Sequence, residues 1–208
     1  MSKVLFVPIS IVGCGKSTVF RTLHSMYPSF AHIENDNFDN KAAFFNEIRS
    51  KLRDPQVSAV LLDRNNHLHM HRKEIIQKFK SDGVILVALL FVPPHSSAQE
   101  MRGLVLGRIA SRGDNHQQVK GESDFKTAKM IVNSFVKNFA PFDQNDPVDG
   151  QFDHVIQMKI GKESSEANVR RIVDFYADEI AGTSDFTRVS NADIAIEFKK
   201  SLGFQVDQ

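Results

Sequence analysis

The chain has 208 residues, with 26 Lys plus Arg against 25 Asp plus Glu and one cysteine. That length suits one α/β domain with a continuous core and is short for two, and the near balance of charge makes any basic surface a local concentration. Cys14 alone excludes an internal disulfide framework and multi-cysteine metal sites, in keeping with an intracellular setting, cytoplasmic or nuclear; the longest apolar run, Val84 to Pro94, is far short of a bilayer span, and the first apolar strand lacks a signal-peptide h-region, so no membrane is expected.

The first element is an apolar strand over Val4–Pro8 that runs into Ser10-Ile11-Val12-Gly13-Cys14-Gly15-Lys16-Ser17-Thr18 and a helix over Lys16–Met26. A small-residue loop between strand and helix lets successive backbone N–H groups of Gly13, Cys14, Gly15, Lys16, Ser17 and Thr18 converge on a phosphate at a positive helix end. Lys16 then bridges the β and γ oxygens of a nucleoside triphosphate and Ser17 ligates magnesium. Ser10 stands where the pattern expects its first glycine, which is tolerated if its φ is negative.

A second strand, Phe30–Ile33, leads into Glu34-Asn35-Asp36-Asn37-Phe38 and a helix over Lys41–Arg53. Carboxyl ends of parallel strands line the ligand crevice, so Asp36 is placed to accept a proton from an attacking hydroxyl. The spacing leaves open a second role, in which Asp36 or Asn35 caps the following helix. The third strand, Val57–Leu62, delivers Asp63 to the crevice as a magnesium-side carboxylate that also orients Ser17 and Lys16; Arg64, Asn65 and Asn66 follow as groups for substrate phosphate. His67, His69 and His71 open a helix over Leu68–Ser81 and read as its solvated start rather than as zinc ligands.

A fourth strand over Val84–Val92 precedes a helix over Ser97–Ala110 and the stretch Gly107-Arg108-Ile109-Ala110-Ser111-Arg112-Gly113-Asp114-Asn115-His116. Arg108 and Arg112, four apart, share one helix face and form a lid signature, guanidiniums that close over a γ-phosphate; exposed arginines at a helix end are the plain alternative. Further helices are expected over Asp124–Phe139, with Ser123 or Asp124 as N-cap, and over Glu163–Ile180. A strand over His154–Ile160 lies between them, after an irregular stretch from Ala140 to Gly150 with Pro141 and Pro147. The alternation predicts an α/β fold of P-loop NTPase type, a central parallel sheet of four to five strands flanked by helices, with a lid. Residues 1–182 form the domain in this reading. Residues 183–208 form a linker and a short helix, Ala192–Leu202, with little to pack against.

Taken in order, SIVGCGKST, IENDNF, LLDRNNH and GRIASRGDNHQ resemble the kinase domain of fungal tRNA ligase and, more distantly, the phage-type polynucleotide kinases. The resemblance spans roughly residues 3 to 180, and the DRNNH and RGDNHQ pair is more specific than the phosphate loop. It implies a 5'-hydroxyl RNA kinase of tRNA splicing and RNA repair, with Mg2+ as cofactor and GTP as preferred donor. By the same resemblance Lys16 and Ser17 serve phosphate and metal, Asp36 is the general base and Arg112, with Arg108 beside it, the lid arginine. Where the phage-type enzymes hold the acceptor phosphate with an arginine this chain has Asp39, which leaves Arg64 for that task. Guanine selection needs an acceptor for its N1 and N2 hydrogens, and Asp143, Asp146, Asp149 and Asp153 are the aspartates on offer.

The resemblance also implies that the chain is an excised central domain, linked in the full-length protein to ligase and cyclic phosphodiesterase domains. Two other readings stand beside it. A small-molecule kinase shares loop, sheet and lid but needs a closed acceptor pocket, whereas a polynucleotide kinase needs an open groove with basic residues such as Arg64, Arg72 and Lys73. A nucleotide-dependent switch has no hydroxyl for Asp36 to deprotonate.

Overall fold

The computed structural model describes residues 3–92, 97–115, 119–160, 164–182 and 186–204. Glu163 and His116, both named above, lie outside them. Five strands, β1 (Val4–Ile9), β2 (Phe30–Glu34), β3 (Ala59–Asp63), β4 (Ile85–Leu90) and β5 (His154–Gln157), form one sheet in the order β2-β3-β1-β4-β5, and every pairing is parallel. The expected sheet is therefore present at its upper strand count, with the uninterrupted apolar runs of β3, β1 and β4 in the middle. Leu5 and Val7 pack with Phe44, Ile48, Ile75 and Phe79 on one face, while Val4 and Phe6 pack with Val19, Phe20, Val105, Val169 and Ile172 on the other. Alternate residues of one strand thus feed two cores, which is why the run shows no polar alternation.

The helices are α1 (Lys16–Met26), α2 (Lys41–Arg53), α3 (His69–Phe79), α4 (Ala98–Arg112), α5 (Phe125–Asn138), α6 (Ser164–Phe175) and α7 (Asn191–Leu202). Their starts follow local side-chain chemistry. Asn40 accepts from the Ala43 N–H at the head of α2, Ser97 and Glu100 form a capping box on α4, and Asp124 accepts from the Thr127 N–H on α5. α6 continues as a π-helical turn, Tyr176–Ala181, within the helical span that periodicity predicts.

Two expectations are corrected. α7 has a great deal to pack against: Ile194 is buried in the core, Phe186 stacks on Tyr27 at 4.8 Å, the Tyr27 hydroxyl donates to the Thr187 carbonyl, and the Ser25 hydroxyl donates to Glu197. Helical spacing alone hides this, because the partners lie on α1, more than a hundred residues earlier. Arg72 is no groove residue either. Its side chain is fully buried and forks onto Asp149 at 2.6 and 2.9 Å, with further donation to the Ala140 and Pro141 carbonyls, and so fastens the irregular stretch between α5 and β5 to α3. No helix among the described residues is long and apolar enough to cross a membrane.

Candidate active site

A cleft of about 1240 Å³ opens at the carboxyl ends of the strands. Its size exceeds the usual range for one small ligand, which leaves space for a donor and an acceptor side by side. Gly13, Gly15, Lys16, Ser17, Thr18, Asp36, Asp63, Arg64, Arg108 and Arg112 all line it, so residues spread over a hundred positions of sequence meet in one place.

The loop at its base is shaped by two glycines with φ of 83° at Gly13 and 85° at Gly15, in the left-handed region. Gly15 has a second reason to lack a side chain, because a Cβ there would collide with the Arg108 guanidinium and lie 2.8 Å from the Ser165 hydroxyl. Ser10 satisfies the condition set by its departure from the pattern: Asn66 is the one described non-glycine residue with positive φ. Ser10 is wholly buried and bonds Asn65 through its backbone N–H, 2.9 Å, and its hydroxyl, 3.1 Å, tying the loop to the end of β3. The Cys14 side chain points into the core and its thiol is pushed up to about 11, chiefly by burial, so that residue can serve a phosphate only through its backbone.

Asp63 is the electrostatic centre. Lys16 Nζ lies 3.0 Å from one of its oxygens and His32 Nε2 lies 3.0 Å from the other. Burial alone would raise its carboxyl, but the Lys16 charge, the His32 hydrogen bond and charge, and the Ser17 hydroxyl together hold it well below the usual carboxylate range. His32 in turn lies 3.6 Å from Glu34, which pairs with Arg21 at 3.4 Å. The ligand atoms of His32, Glu34 and Asp63 fall within 4.8 Å of one another.

Asp36 stands in the three-residue turn Asn35–Asn37, exposed on the cleft wall. The cap of α2 is Asn40, so the helix-capping alternative for Asp36 and Asn35 is not what the structure shows. Opposite, three arginines converge. Arg108 donates to the Ser165 hydroxyl at 3.0 Å over the phosphate loop, and Arg112 donates to the Val119 carbonyl at 3.1 Å while its buried Nε has no hydrogen-bond partner among the described residues. Burial and then the charges of Arg108 and Arg21 push the Arg112 guanidinium down to about 10, still protonated at neutral pH. A cluster of like charges with an unmet donor is a receptacle for an anion.

Sequence reasoning passes over Arg21, His32 and Glu34. Arg21 follows Ser17 by four residues and so shares its helix face, a signal that was there to be read; His32 and Glu34 alternate along β2 toward Asp63, which only the β2–β3 register reveals. It also misplaces two histidines. His67 and His71 are half-buried on the cleft wall, ring against ring at 5.4 Å, rather than solvated. Conversely, Asp143, Asp146, Asp149 and Asp153 do not line the cleft: Asp143 accepts from the Asn145 N–H, Asp146 pairs with His69, Asp149 with Arg72 and Asp153 with Lys80. Their carboxylates are engaged in holding local structure, and Lys73 is likewise not among the lining residues.

Comparison with known proteins agrees with this geometry. The family model "tRNA ligase kinase domain" matches residues 5–161. The chain is 35% identical over 222 residues to the tRNA ligase of Candida albicans, covering 98% of this chain and 26% of that protein. It is 33% identical over 185 residues to tRNA ligase 1 of Schizosaccharomyces pombe, covering 85% and 22%. The chain therefore spans about a quarter of the length of these curated relatives. A crystal structure of a fungal RNA kinase superposes with a TM-score of 0.88 at 30% identity, covering 99% of each chain.

Proposed function

The chain belongs to the tRNA ligase kinase domain family, and we propose that it transfers the γ-phosphate of a nucleoside triphosphate, GTP by preference, to the 5'-hydroxyl end of RNA such as a tRNA half. The observation that carries this reading is the meeting, in one cleft, of the phosphate loop, a carboxylate on the opposite wall and three convergent arginines. A switch needs the first; a kinase needs all of them.

The roles follow from the positions. In the structure described here Lys16 is paired with Asp63; a triphosphate seated on the loop gives its ammonium a second partner in the β and γ oxygens. Ser17 and Asp63, an adjacent hydroxyl and ionised carboxylate, are oxygen donors of the kind Mg2+ takes, and when bound the ion neutralises charge on those oxygens. Asp36 accepts the proton of the 5'-hydroxyl as that oxygen bonds to the γ-phosphorus, while the bond to the bridging oxygen breaks and the nucleoside diphosphate leaves. Arg112 meets the growing charge with its unpartnered Nε, and Arg108 lies over the loop at the donor side. In the full-length protein we place the domain between ligase and phosphodiesterase domains, in the cytoplasm or nucleus.

The reading is tested with γ-labelled GTP and ATP offered in parallel, at matched concentrations, to a 5'-hydroxyl oligoribonucleotide, the same oligonucleotide already 5'-phosphorylated, and a panel of small hydroxyl metabolites. Label on the 5'-hydroxyl RNA alone, faster from GTP, is expected. Label on a metabolite instead would replace RNA by a small acceptor, and equal use of ATP would remove the donor preference while leaving the kinase.

A further inference from the structure

Beyond the phosphate loop the cleft has a second polar wall that the transfer chemistry above leaves unused. Arg64, His67 and His71 line it, with Phe135 from α5 as an apolar neighbour. Arg64 Nη1, His67 Nδ1 and His71 Nδ1 are each buried and without a hydrogen-bond partner among the described residues. Unmet donors at three adjacent side chains are costly unless something from outside completes them. The framework that presents them is built with care: Asn66 adopts a left-handed φ of 48°, and its amide donates to the Pro8 carbonyl at 2.9 Å and the Arg64 carbonyl at 3.0 Å, fixing the turn between β3 and α3. His67 also stacks on Phe135 at 4.3 Å.

We propose that Arg64, His67 and His71 are the subsite for the first phosphodiester of the RNA acceptor, the phosphate on the 3' side of the nucleoside whose 5'-hydroxyl attacks; this rests on the RNA kinase reading. Each side chain supplies an N–H donor, and together they outmatch what a neutral ribose would ask for. The one carboxylate nearby, Glu74, lies 2.7 Å from Lys41 and 3.8 Å from Arg64, so its charge is already met. The surroundings favour an anion independently of that count. Both imidazoles are pushed down to about 4, first by burial, then by Arg64 and Arg72 around His67 and by Arg64, His67 and Lys41 around His71, against which Glu74 pulls the other way. Neutral imidazoles still donate a hydrogen bond, and Arg64 provides the formal charge.

The consequence is a requirement on the acceptor rather than on the donor. A phosphate 3' of the attacking nucleoside is what separates the end of a polynucleotide from a free nucleoside. Transfer from labelled GTP should therefore be compared for adenosine, adenosine 3'-monophosphate and a 5'-hydroxyl oligoribonucleotide. The unaltered chain is expected to show a KM at least about tenfold lower for adenosine 3'-monophosphate than for adenosine. In His71→Leu and His67→Leu that ratio should fall toward one through the acceptor KM, with the KM for GTP unmoved, a split that mere loosening of the fold would not produce. Equal use of adenosine and its 3'-phosphate by the unaltered chain would overturn the subsite even if a variant failed to fold, and so would a preference that both variants keep. Absence of transfer to the oligoribonucleotide would overturn the kinase reading and the subsite with it.

Discussion

Arg112 shows how much of the site's chemistry rests on single side chains. Its guanidinium is largely buried among like charges, with one donor committed to the Val119 carbonyl and Nε left open. That arrangement is stable only with an anion to face, so Arg112→Ala should slow the chemical step by about a hundredfold or more, while Arg112→Lys recovers little, since one ammonium cannot reproduce the planar fork. Single-turnover rates at saturating donor would show it; a loss of melting temperature without loss of rate would return Arg112 to an ordinary helix end. His67 and His71 carry a different kind of prediction. Both titrate near 4 in the folded chain against an ordinary value of 6.5. The unfolded chain therefore binds their protons first as pH falls, and stability should decline between about pH 6.5 and 4. Denaturant midpoints measured across that window should fall, and should fall less in the His67→Leu/His71→Leu double variant.

At the scale of elements, α7 makes the sharpest departure from what its own sequence implies. Ile194 is 1% exposed, and the helix runs on to Ser201, Leu202 and Phe204, which reach the cleft itself: Phe204 lies under the Arg21 guanidinium at 4.3 Å and its carbonyl accepts from Asn115 at 2.6 Å. Ile194→Ala should therefore cost about 2 to 5 kcal/mol of folding stability, as removal of a buried aliphatic does; a change within about 0.5 kcal/mol in a denaturant titration would contradict that packing. The contrast with α1, α2 and the central strands is instructive. Those elements announce themselves through local signals: glycines before a lysine, apolar runs without polar alternation, an asparagine four residues before the first buried phenylalanine. Asp63 and the two lid arginines were legible for the same reason, since strand end and helix face place them without knowledge of the rest. What could not be read was anything set by contact between distant elements. His32 reaches Asp63 only through strand register, Arg72 is claimed by Asp149 from 77 positions away, and α7 finds its partner on α1.

The molecule as a whole joins two half-sites in one cleft. One wall, built on the loop between β1 and α1, is made for the triphosphate; the other, built on the ends of β2 and β3 and the start of α3, is made for the acceptor; the arginines of α4 close over the first. This division separates affinity for the donor from the chemistry at the acceptor, and Asp36 is where the distinction is cleanest, because it lies on the cleft wall in a turn of its own and caps no helix. The direct measurement is label transfer from γ-labelled GTP to a 5'-hydroxyl oligoribonucleotide by the unaltered chain and Asp36→Ala side by side, with GTP affinity and melting temperature recorded for both. The account predicts a 5'-labelled product from the unaltered chain, and from Asp36→Ala a rate lower by about a hundredfold with affinity and melting temperature unchanged. No labelled RNA from the unaltered chain, or an Asp36→Ala rate equal to it, would contradict the account.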